Sequence, residues 1–277
     1  MRAAVLSGPG RAIVGRAPVP EPGPGEVLVS VEGCGVCGSS LPLWQGRSWF
    51  AYPGQPGAPG HEAWGRTDDG RRVTGLSLHG FAERTVMHED ELVELPPELD
   101  GIPFPGEALG CAVNVVRRAG VRAGEEVAIV GMGFLGTAAA RICELRGAAV
   151  TPVRRGERPD GPFPRVIEAA GTQEALDVAS GLVAPNGLLA IAGFHQDGPR
   201  RIDLQSWNWR GLDVVNAHER DPQRVVAGIR EAVSLAASKR LDVEPLVTHR
   251  FGLDGIGAAF EAASRRESGF LKAVVCP

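Results

Sequence analysis

The sequence predicts a chain of two parts, a β-rich region followed by an α/β domain built on a parallel sheet. Short apolar runs separated by glycine and proline occupy the first third of the chain, as in a small barrel-like β domain. From about residue 112, continuous apolar runs alternate with segments of helical periodicity. That alternation is typical of a doubly wound domain. The last apolar run is expected to return as a strand to the β domain.

The elements of the β region are short. An Asp69-Gly70 step between two of them predicts a tight hairpin with a type I′ turn. The predicted strands cover Val27–Val31, Val73–Leu76 and Phe81–Met87.

The elements of the α/β region follow from apolar periodicity and from alternation of strand and helix. The predicted strands are Val127–Val130, Ala149–Val153, Val166–Ala170, Leu188–Phe194, Val214–Ala217 and the final Phe270–Val275. The predicted helices are Ala112–Ala119, Leu135–Leu145, Gln173–Leu182 and Pro222–Ala237.

Composition limits the class of protein. The 277 residues suffice for two modest domains, and 43% apolar with 22% charged residues excludes general disorder. A net charge of −4 gives no electrostatic footprint for nucleic acid or membrane, so a small-molecule partner is expected. Five cysteines, an odd number in a chain of this length, argue for a reducing, cytoplasmic location.

A glycine-rich loop, Gly131-Met132-Gly133-Phe134-Leu135-Gly136, follows the predicted strand 127–130 and opens the next helix. In that context the glycines permit a tight turn, close approach of a pyrophosphate, and close packing of helix on strand. The pattern indicates a dinucleotide site. The alternative is a tight turn that binds nothing. The candidate cofactor-binding residues are Gly131, Gly133, Phe134, Leu135 and Gly136.

Two arginines, Arg154 and Arg155, follow the second strand of the α/β domain, where NAD-binding proteins carry an acidic residue. Guanidinium groups suit the 2′-phosphate of NADP. The alternative is a solvated pair on a surface loop, so both NADP and NAD remain candidate cofactors.

A metal site is indicated by Cys34-Gly35-Val36-Cys37. The segment follows a strand rather than opening a helix, which disfavours a thioredoxin-like motif, and no second C-x-x-C exists for a four-cysteine zinc site. One cysteine with Gly60-His61-Glu62 and Gly106-Glu107 would form an open, catalytic zinc site. The alternative is that His61 is a hydrogen-bonded polar residue and Glu62 a surface acid.

These motifs, in this order, resemble the zinc-dependent medium-chain dehydrogenase/reductase family, which includes alcohol, sorbitol and threonine dehydrogenases. The resemblance extends almost from end to end. It implies a GroES-like catalytic β domain formed by residues 1–111 and 217–277. Between these parts, residues 112–216 would form an inserted, truncated Rossmann domain with a doubly wound parallel sheet.

The resemblance also implies roles for individual residues. Cys37 and His61 correspond to ligands of one catalytic zinc, with Glu62 and Glu107 as joint or alternating ligands. Ser39 corresponds to the hydroxyl that takes the substrate's proton. The four-cysteine lobe of a structural zinc is absent. A homo-oligomer, dimer or tetramer, is expected.

The sequence departs from the family in two informative places. Ser40 stands where the family usually has an Asp that supports the metal site. Residues 154–164 are too few for the family's second helix and third strand, so the sheet should lack its outer strand on the adenosine side.

These features leave three functions to weigh. The first is an oxidoreductase that transfers a hydride between an alcohol, polyol or aminopolyol carbon and NAD(P). The second is a redox-silent zinc lyase, dehydratase or isomerase with weakened or lost nucleotide binding. The third, a non-catalytic relic, is disfavoured by the intact metal residues.

Two further groups of residues have open interpretations. Trp44, Trp49, Phe50 and Tyr52 either line a pocket or belong to the core. His195, Gln196 and Asp197 follow a strand of the doubly wound sheet and could face cofactor or substrate.

Overall fold

The computed structural model describes residues Met1–Pro277 and contains fourteen strands and seven α-helices. No helix combines the length and apolar character that a membrane span requires. The strands are β1 (Arg2–Gly8), β2 (Arg11–Arg16), β3 (Glu26–Gly35), β4 (Glu62–Thr67), β5 (Arg72–Gly75), β6 (Arg84–His88), β7 (Leu92–Glu94), β8 (Glu126–Val130), β9 (Ala149–Val153), β10 (Phe163–Glu168), β11 (Val183–Ile191), β12 (Asp213–Asn216), β13 (His249–Gly252) and β14 (Ala273–Cys276). The helices are α1 (Leu41–Trp44), α2 (Gly106–Arg118), α3 (Phe134–Leu145), α4 (Gln173–Leu182), α5 (Leu204–Arg210), α6 (Pro222–Ala237) and α7 (Ile256–Arg265).

The chain divides into two compact units. Unit 1 comprises Met1–Gly110 and Val225–Pro277, and unit 2 comprises Cys111–Arg224. The sequence places the divisions after residues 111 and 216. In the structure both divisions fall inside helices, α2 and α6, which run without a break across them.

Unit 1 is built on a seven-stranded sheet in the order β13-β14-β3-β4-β5-β7, with β6 also paired to β3. The strands β1 and β2 form a separate hairpin. The last strand, β14, pairs antiparallel with β3, where Val274 lies opposite Gly35 and Val275 opposite Cys34. The prediction that the chain end returns to the β domain is confirmed.

The core of unit 1 includes one of the aromatic residues with an open interpretation. Trp44 is buried and stacks on Phe260, with ring centroids 5.1 Å apart. Tyr52 packs against this core and donates a hydrogen bond to the carbonyl of Leu43. Trp49, in contrast, is 61% exposed. Trp44 is therefore a core residue rather than part of a pocket.

The β4–β5 hairpin differs from the predicted type I′ turn. Such a turn needs positive φ at both central residues, whereas Gly70 alone in this turn has one, at 91°. The amide of Gly70 donates to the carbonyl of Thr67 across Asp68 and Asp69. The connection is therefore a three-residue loop with glycine in the left-handed position, and the type I′ prediction was wrong.

Unit 2 is a five-stranded sheet in the order β12-β11-β10-β8-β9, and each of its strand pairs is parallel. The strand order reverses direction beside β8, which defines a doubly wound domain with a switch point between β8 and β10. All strands end at one edge of the sheet, here called the carboxyl edge. The predicted doubly wound sheet is confirmed.

The outer strand and preceding helix expected of a full domain are absent. Residues 154–162, here called the link, connect β9 to β10 without regular secondary structure and lead to the far side of β8. Nine extended residues reach about 30 Å, whereas a return across two strand spacings and one strand length needs about 20 Å. A direct link is therefore long enough, and β9 forms the edge of the sheet as predicted.

Edge strand β9 is adapted to having no neighbour. Ala149 donates to Glu125 and Val153 accepts from Gly131, so these backbone groups face β8. Alternation places the backbone of Val150 and Pro152 toward the free edge. Proline has no N–H to offer there, which protects the edge against pairing with another strand.

Candidate metal centre and dinucleotide site

The β3–β4 pair assembles the metal-ligating residues of unit 1. Gly35 at the end of β3 lies opposite Glu62 at the start of β4. Cys37 follows β3 and His61 precedes β4, so both residues lie at the same end of this strand pair. The ligand atoms of Cys37, His61 and Glu62 all lie within 4.8 Å of one another. These three residues, predicted from two separated motifs, form a cluster that we call the donor triad.

The hydrogen bonds of His61 fix which nitrogen faces the triad. Its Nδ1 lies 2.9 Å from the carbonyl oxygen of Pro59 and donates to it, which leaves Nε2 3.4 Å from Ser39 Oγ. A backbone carbonyl thus orients the ring, a common arrangement for metal-binding histidines. Ser40, where the family usually has Asp, is buried with its hydroxyl lacking any hydrogen-bond partner.

The triad attracts cations. Burial alone would lower the pKa of His61, but its interactions with Cys37, Glu107 and Glu62 raise it to about 10. A thiolate, an imidazole and a carboxylate on three sides of one point are ligands that zinc prefers. The donor set therefore fits zinc, with Cys37 Sγ and His61 Nε2 available to hold it.

Ser39 lies against two of the triad's donor atoms. Its hydroxyl donates to Cys37 Sγ at 3.2 Å and lies 3.4 Å from His61 Nε2. A hydroxyl at this position can exchange a proton with a small molecule bound at the triad.

A buried lysine holds the third member of the triad. Lys272 Nζ donates to both carboxylate oxygens of Glu62, at 2.7 and 2.9 Å, and the two residues are 4% and 0% exposed. Burial alone would lower the pKa of Lys272, but Glu62, Cys37 and Glu107 raise it. Gly35 makes room for the pair, since a Cβ there would lie 1.8 Å from Glu62 Oε2.

Lys272 is the residue that sequence reasoning missed. The signal was present, because Lys239 and Lys272 are the only lysines of the chain and Lys272 interrupts an apolar run. A lone ammonium beside buried strand residues requires a partner of opposite charge. The partner is distant in sequence, so only the fold identifies it.

Glu107 occupies the first turn of α2. This helix begins six residues before the predicted Ala112, because Gly106 and Gly110 obscure its periodicity. Glu107 is outside the donor triad, and burial raises its pKa while the charge of His61 partly offsets that rise. The negative charge of Glu107 is one of the interactions that raise the pKa of His61.

The glycine loop of unit 2 connects β8 to α3 at the carboxyl edge. Gly131 has φ +100°, and a Cβ there would lie 2.7 Å from the Cβ of Ala170. A Cβ at Gly136 would lie 1.9 Å from the carbonyl oxygen of Gly131. Gly133 differs, because its Cβ would have nothing within 4 Å. The first and third glycines serve packing, and the second faces open space.

That open space lies at the N-terminus of α3. Gly133 is the N-cap residue and offers no side chain to the first amides of the helix. Uncapped amides and the positive end of the helix dipole suit a phosphate group. The predicted residues Phe134 and Leu135 are the first two residues of this helix. The loop therefore fits the phosphates of a dinucleotide.

Three loops pack closely at the carboxyl edge. A Cβ at Gly171 would lie 2.6 Å from the carbonyl oxygen of Phe194, and one at Gly193 would lie 2.1 Å from the amide nitrogen of Gly171. With the contact between Gly131 and Ala170, these approaches join the loops that follow β8, β10 and β11.

A hydrogen-bonded chain strengthens this region. Buried Glu168 accepts from the amides of Ala170 and Gly171 at 2.8 and 2.7 Å, and from His195 Nε2 at 3.0 Å. Arg200 Nε donates to His195 Nδ1 at 2.8 Å, and another nitrogen of Arg200 donates to Asp197. His195 and Arg200 therefore fasten the loop after β11 to the end of β10 and to the loop that follows it, through Glu168 and the Gly171 carbonyl.

The arginines after β9 are solvent-exposed. Arg154 begins a small turn in which its amide donates to Glu157 Oε2 at 2.7 Å, and Arg155 follows on the surface. Both side chains are exposed, and the guanidinium group of Arg154 lies 3.9 Å from Glu157 Oε1.

A β unit carrying a thiolate–imidazole–carboxylate centre, together with a doubly wound unit carrying an open glycine loop, defines the class of two-domain, metal-dependent dehydrogenase folds. Comparison with known proteins agrees with this class. Residues 23–80 match the alcohol dehydrogenase GroES-like domain. Sorbitol dehydrogenase of Gallus gallus is 27% identical over 330 residues, covering 90% of this chain and 89% of the relative. L-threonine 3-dehydrogenase of Ruegeria pomeroyi is 24% identical, covering 92% and 93%.

Among solved structures, alcohol dehydrogenase TADH from Thermus sp. ATN1 is similar with a TM-score of 0.83 and 23% identity, covering 100% of this chain and 99% of the other. These similarities support the resemblance of the chain to the zinc-dependent medium-chain dehydrogenase/reductase family. The chain has 277 residues, whereas its alignment with the Gallus gallus relative spans 330.

Proposed function

We propose that this protein is a zinc-dependent dehydrogenase that transfers a hydride between an alcohol or polyol carbon, an aminopolyol included, and NAD(P). The observation that carries the proposal is the intact donor triad, with the Ser39 hydroxyl 3.2 Å from Cys37 Sγ and 3.4 Å from His61 Nε2. The names of the sorbitol, threonine and alcohol dehydrogenase relatives support the substrate class.

Cys37 and His61 would hold the zinc ion, with Glu62 and Glu107 as joint or alternating further ligands. Glu62 is held by Lys272 through both of its oxygens, and this pairing limits the negative charge at the centre. When bound, zinc would supply Lewis-acid polarisation of a substrate oxygen, and the dinucleotide would supply the hydride acceptor. One catalytic zinc per chain is expected.

The protein's own residues position these partners and manage the proton. Ser39 would relay the proton that the substrate hydroxyl loses: its oxygen accepts that proton while its own hydroxyl proton passes to solvent. The amides at the start of α3 bind the phosphates, and the loops fastened by Glu168 and His195 give the carboxyl edge a fixed shape. Arg154 and Arg155 favour NADP over NAD, because they can grip a 2′-phosphate.

A second candidate is a redox-silent zinc lyase, dehydratase or isomerase. The missing strand beyond β9 favours it, because part of a nucleotide-binding domain is absent. The open glycine loop favours the dehydrogenase instead, since a redox-silent enzyme has no use for an uncapped helix terminus beside Gly133.

Nucleotide titration with a zinc assay on the same sample separates the two. NADH and NADPH are added to the purified protein while nicotinamide fluorescence is followed. The dehydrogenase proposal predicts zinc at about one per chain and saturable binding of at least one nucleotide. Zinc without binding of either nucleotide would leave the redox-silent candidate.

A further inference from the structure

The two halves of the carboxyl edge of unit 2 differ in how much they can enclose. On one side of the glycine loop, the loops after β10 and β11 pack backbone against backbone at Gly171 and Gly193. On the other side the sheet ends at β9, and the 154–162 link is the sole segment that follows it. A dinucleotide that crosses the carboxyl edge at the switch point would therefore contact packed loops on the β10–β11 side only.

The link cannot form an adenine pocket by itself. An adenine ring is held between apolar side chains that cover both faces and exclude water. Arg154 to Arg158 are exposed, and the apolar side chains of the link are prolines. Its hydrogen bonds close a small turn between Arg154 and Glu157. The link therefore offers no pair of apolar surfaces between which an adenine ring could lie.

The residues that would bind the phosphates do not depend on the missing helix and strand beyond β9. The N-terminus of α3, the open space over Gly133 and the fastened loops at Glu168 all lie on β8, β10 and β11. A mononucleotide that carries the nicotinamide and one phosphate would meet each of them.

We infer that this chain holds its cofactor through the nicotinamide and phosphate groups, and that the adenosine half adds little affinity apart from a 2′-phosphate. The inference rests on the proposed function, because it assigns how that cofactor is bound. It follows that reduced nicotinamide mononucleotide (NMNH) binds nearly as well as NADH, which differs from it by the adenosine monophosphate half.

The test is a binding measurement on the zinc-loaded full chain. Dissociation constants of NADH, NADPH and NMNH are measured by isothermal titration calorimetry and by nicotinamide fluorescence. We expect the NMNH constant to lie within about tenfold of the NADH constant, a difference of about 1.4 kcal/mol or less. A larger gap would overturn the inference while leaving the dehydrogenase proposal in place. If none of the three nucleotides binds, the proposed function itself fails and the inference fails with it.

A glycine-to-alanine pair locates the binding. Gly133→Ala adds a methyl group in the open space over α3 without touching the protein, since no atom lies within 4 Å. We expect it to raise the dissociation constants of NADH and NMNH by the same factor, about tenfold or more, with unchanged thermal stability. Gly181→Ala is the matched control, because its Cβ also meets nothing within 4 Å and it lies in α4, away from the loop. Loss of NADH binding alone in Gly133→Ala would contradict the inference.

Discussion

The metal centre of unit 1 and the β9 edge of unit 2 are opposites in construction. In the first, Cys37, His61, Glu62 and Lys272 are packed so closely that each charge has a partner. In the second, a strand edge carries a proline and an exposed link where a full domain has a helix and a strand. Substitutions at the metal centre should therefore have large effects, and those at the β9 edge small ones.

The largest effect is expected from Cys37→Ser. The serine hydroxyl is a poor zinc ligand, so the site should lose its metal, and activity should fall by about 10³-fold or more. The measurements are the zinc content and the turnover of the purified variant. Cys276→Ser is the control, because Cys276 lies at the end of β14 and outside the triad. Retained activity in a zinc-free Cys37→Ser protein would remove the metal from the mechanism.

Lys272→Met should be the most destabilising single change at the centre. It leaves the Glu62 carboxylate buried without its cation, which costs about 3–5 kcal/mol of the free energy of unfolding. Urea denaturation of the metal-free protein measures this cost. The double variant Lys272→Met with Glu62→Gln should recover much of it, because the buried charge is then gone. Equal instability of the single and double variants would show that the ion pair is not the cause.

The pH dependence of the metal-free protein tests the electrostatics of the same centre. The pKa of His61 is about 10 in the folded chain against an ordinary 6.5, so the folded state keeps a proton that the unfolded chain releases. The resulting stability is fully present below pH 6.5 and is lost as the pH rises toward about 10. Zinc affinity should rise over the same range, because the metal displaces that proton.

Urea denaturation of chelator-treated protein across this range, with zinc titrations in parallel, checks both trends. His61→Gln should flatten the stability curve. An unchanged curve in that variant would assign the pH dependence to another group.

The smallest effect is expected at the β9 edge. Arg154→Glu with Arg155→Glu should lower NADPH affinity about tenfold relative to NADH, because one bidentate phosphate contact is lost. Added salt should reduce the wild-type preference in the same direction. Arg122→Glu is the control, because Arg122 lies before the amino end of β8, whereas Arg154 and Arg155 follow the carboxyl end of β9. An equal loss for both nucleotides would show that these arginines do not read the 2′-phosphate.

The sequence allowed more of unit 2 than of unit 1 to be predicted. Strands such as Val127–Val130 are buried on both faces and therefore form unbroken apolar runs in the sequence. The length of the link alone showed that it cannot contain a helix and a further strand. The turn at Asp69-Gly70 was misread because one positive φ serves it where a type I′ turn requires two.

For the metal centre, the donor residues could be found because their motifs are local. The Glu62–Lys272 pair and the contact from His61 to the Pro59 carbonyl could not, because both depend on how the backbone brings distant or neighbouring groups together. Ser40 stands where the family usually has an Asp that supports the metal site. In the structure the Ser40 hydroxyl has no hydrogen-bond partner, and the carbonyl of Pro59 orients His61.

Hydride transfer is the central claim, and isotope transfer tests it most directly. A polyol such as sorbitol, deuterated at its secondary hydroxyl carbons, is incubated with the zinc-loaded protein and NADP⁺, and the reduced nucleotide is analysed by mass spectrometry. The account predicts a reduced nicotinamide that carries one deuterium from the substrate carbon. Conversion of the substrate with the nucleotide recovered oxidised and unlabelled would contradict it.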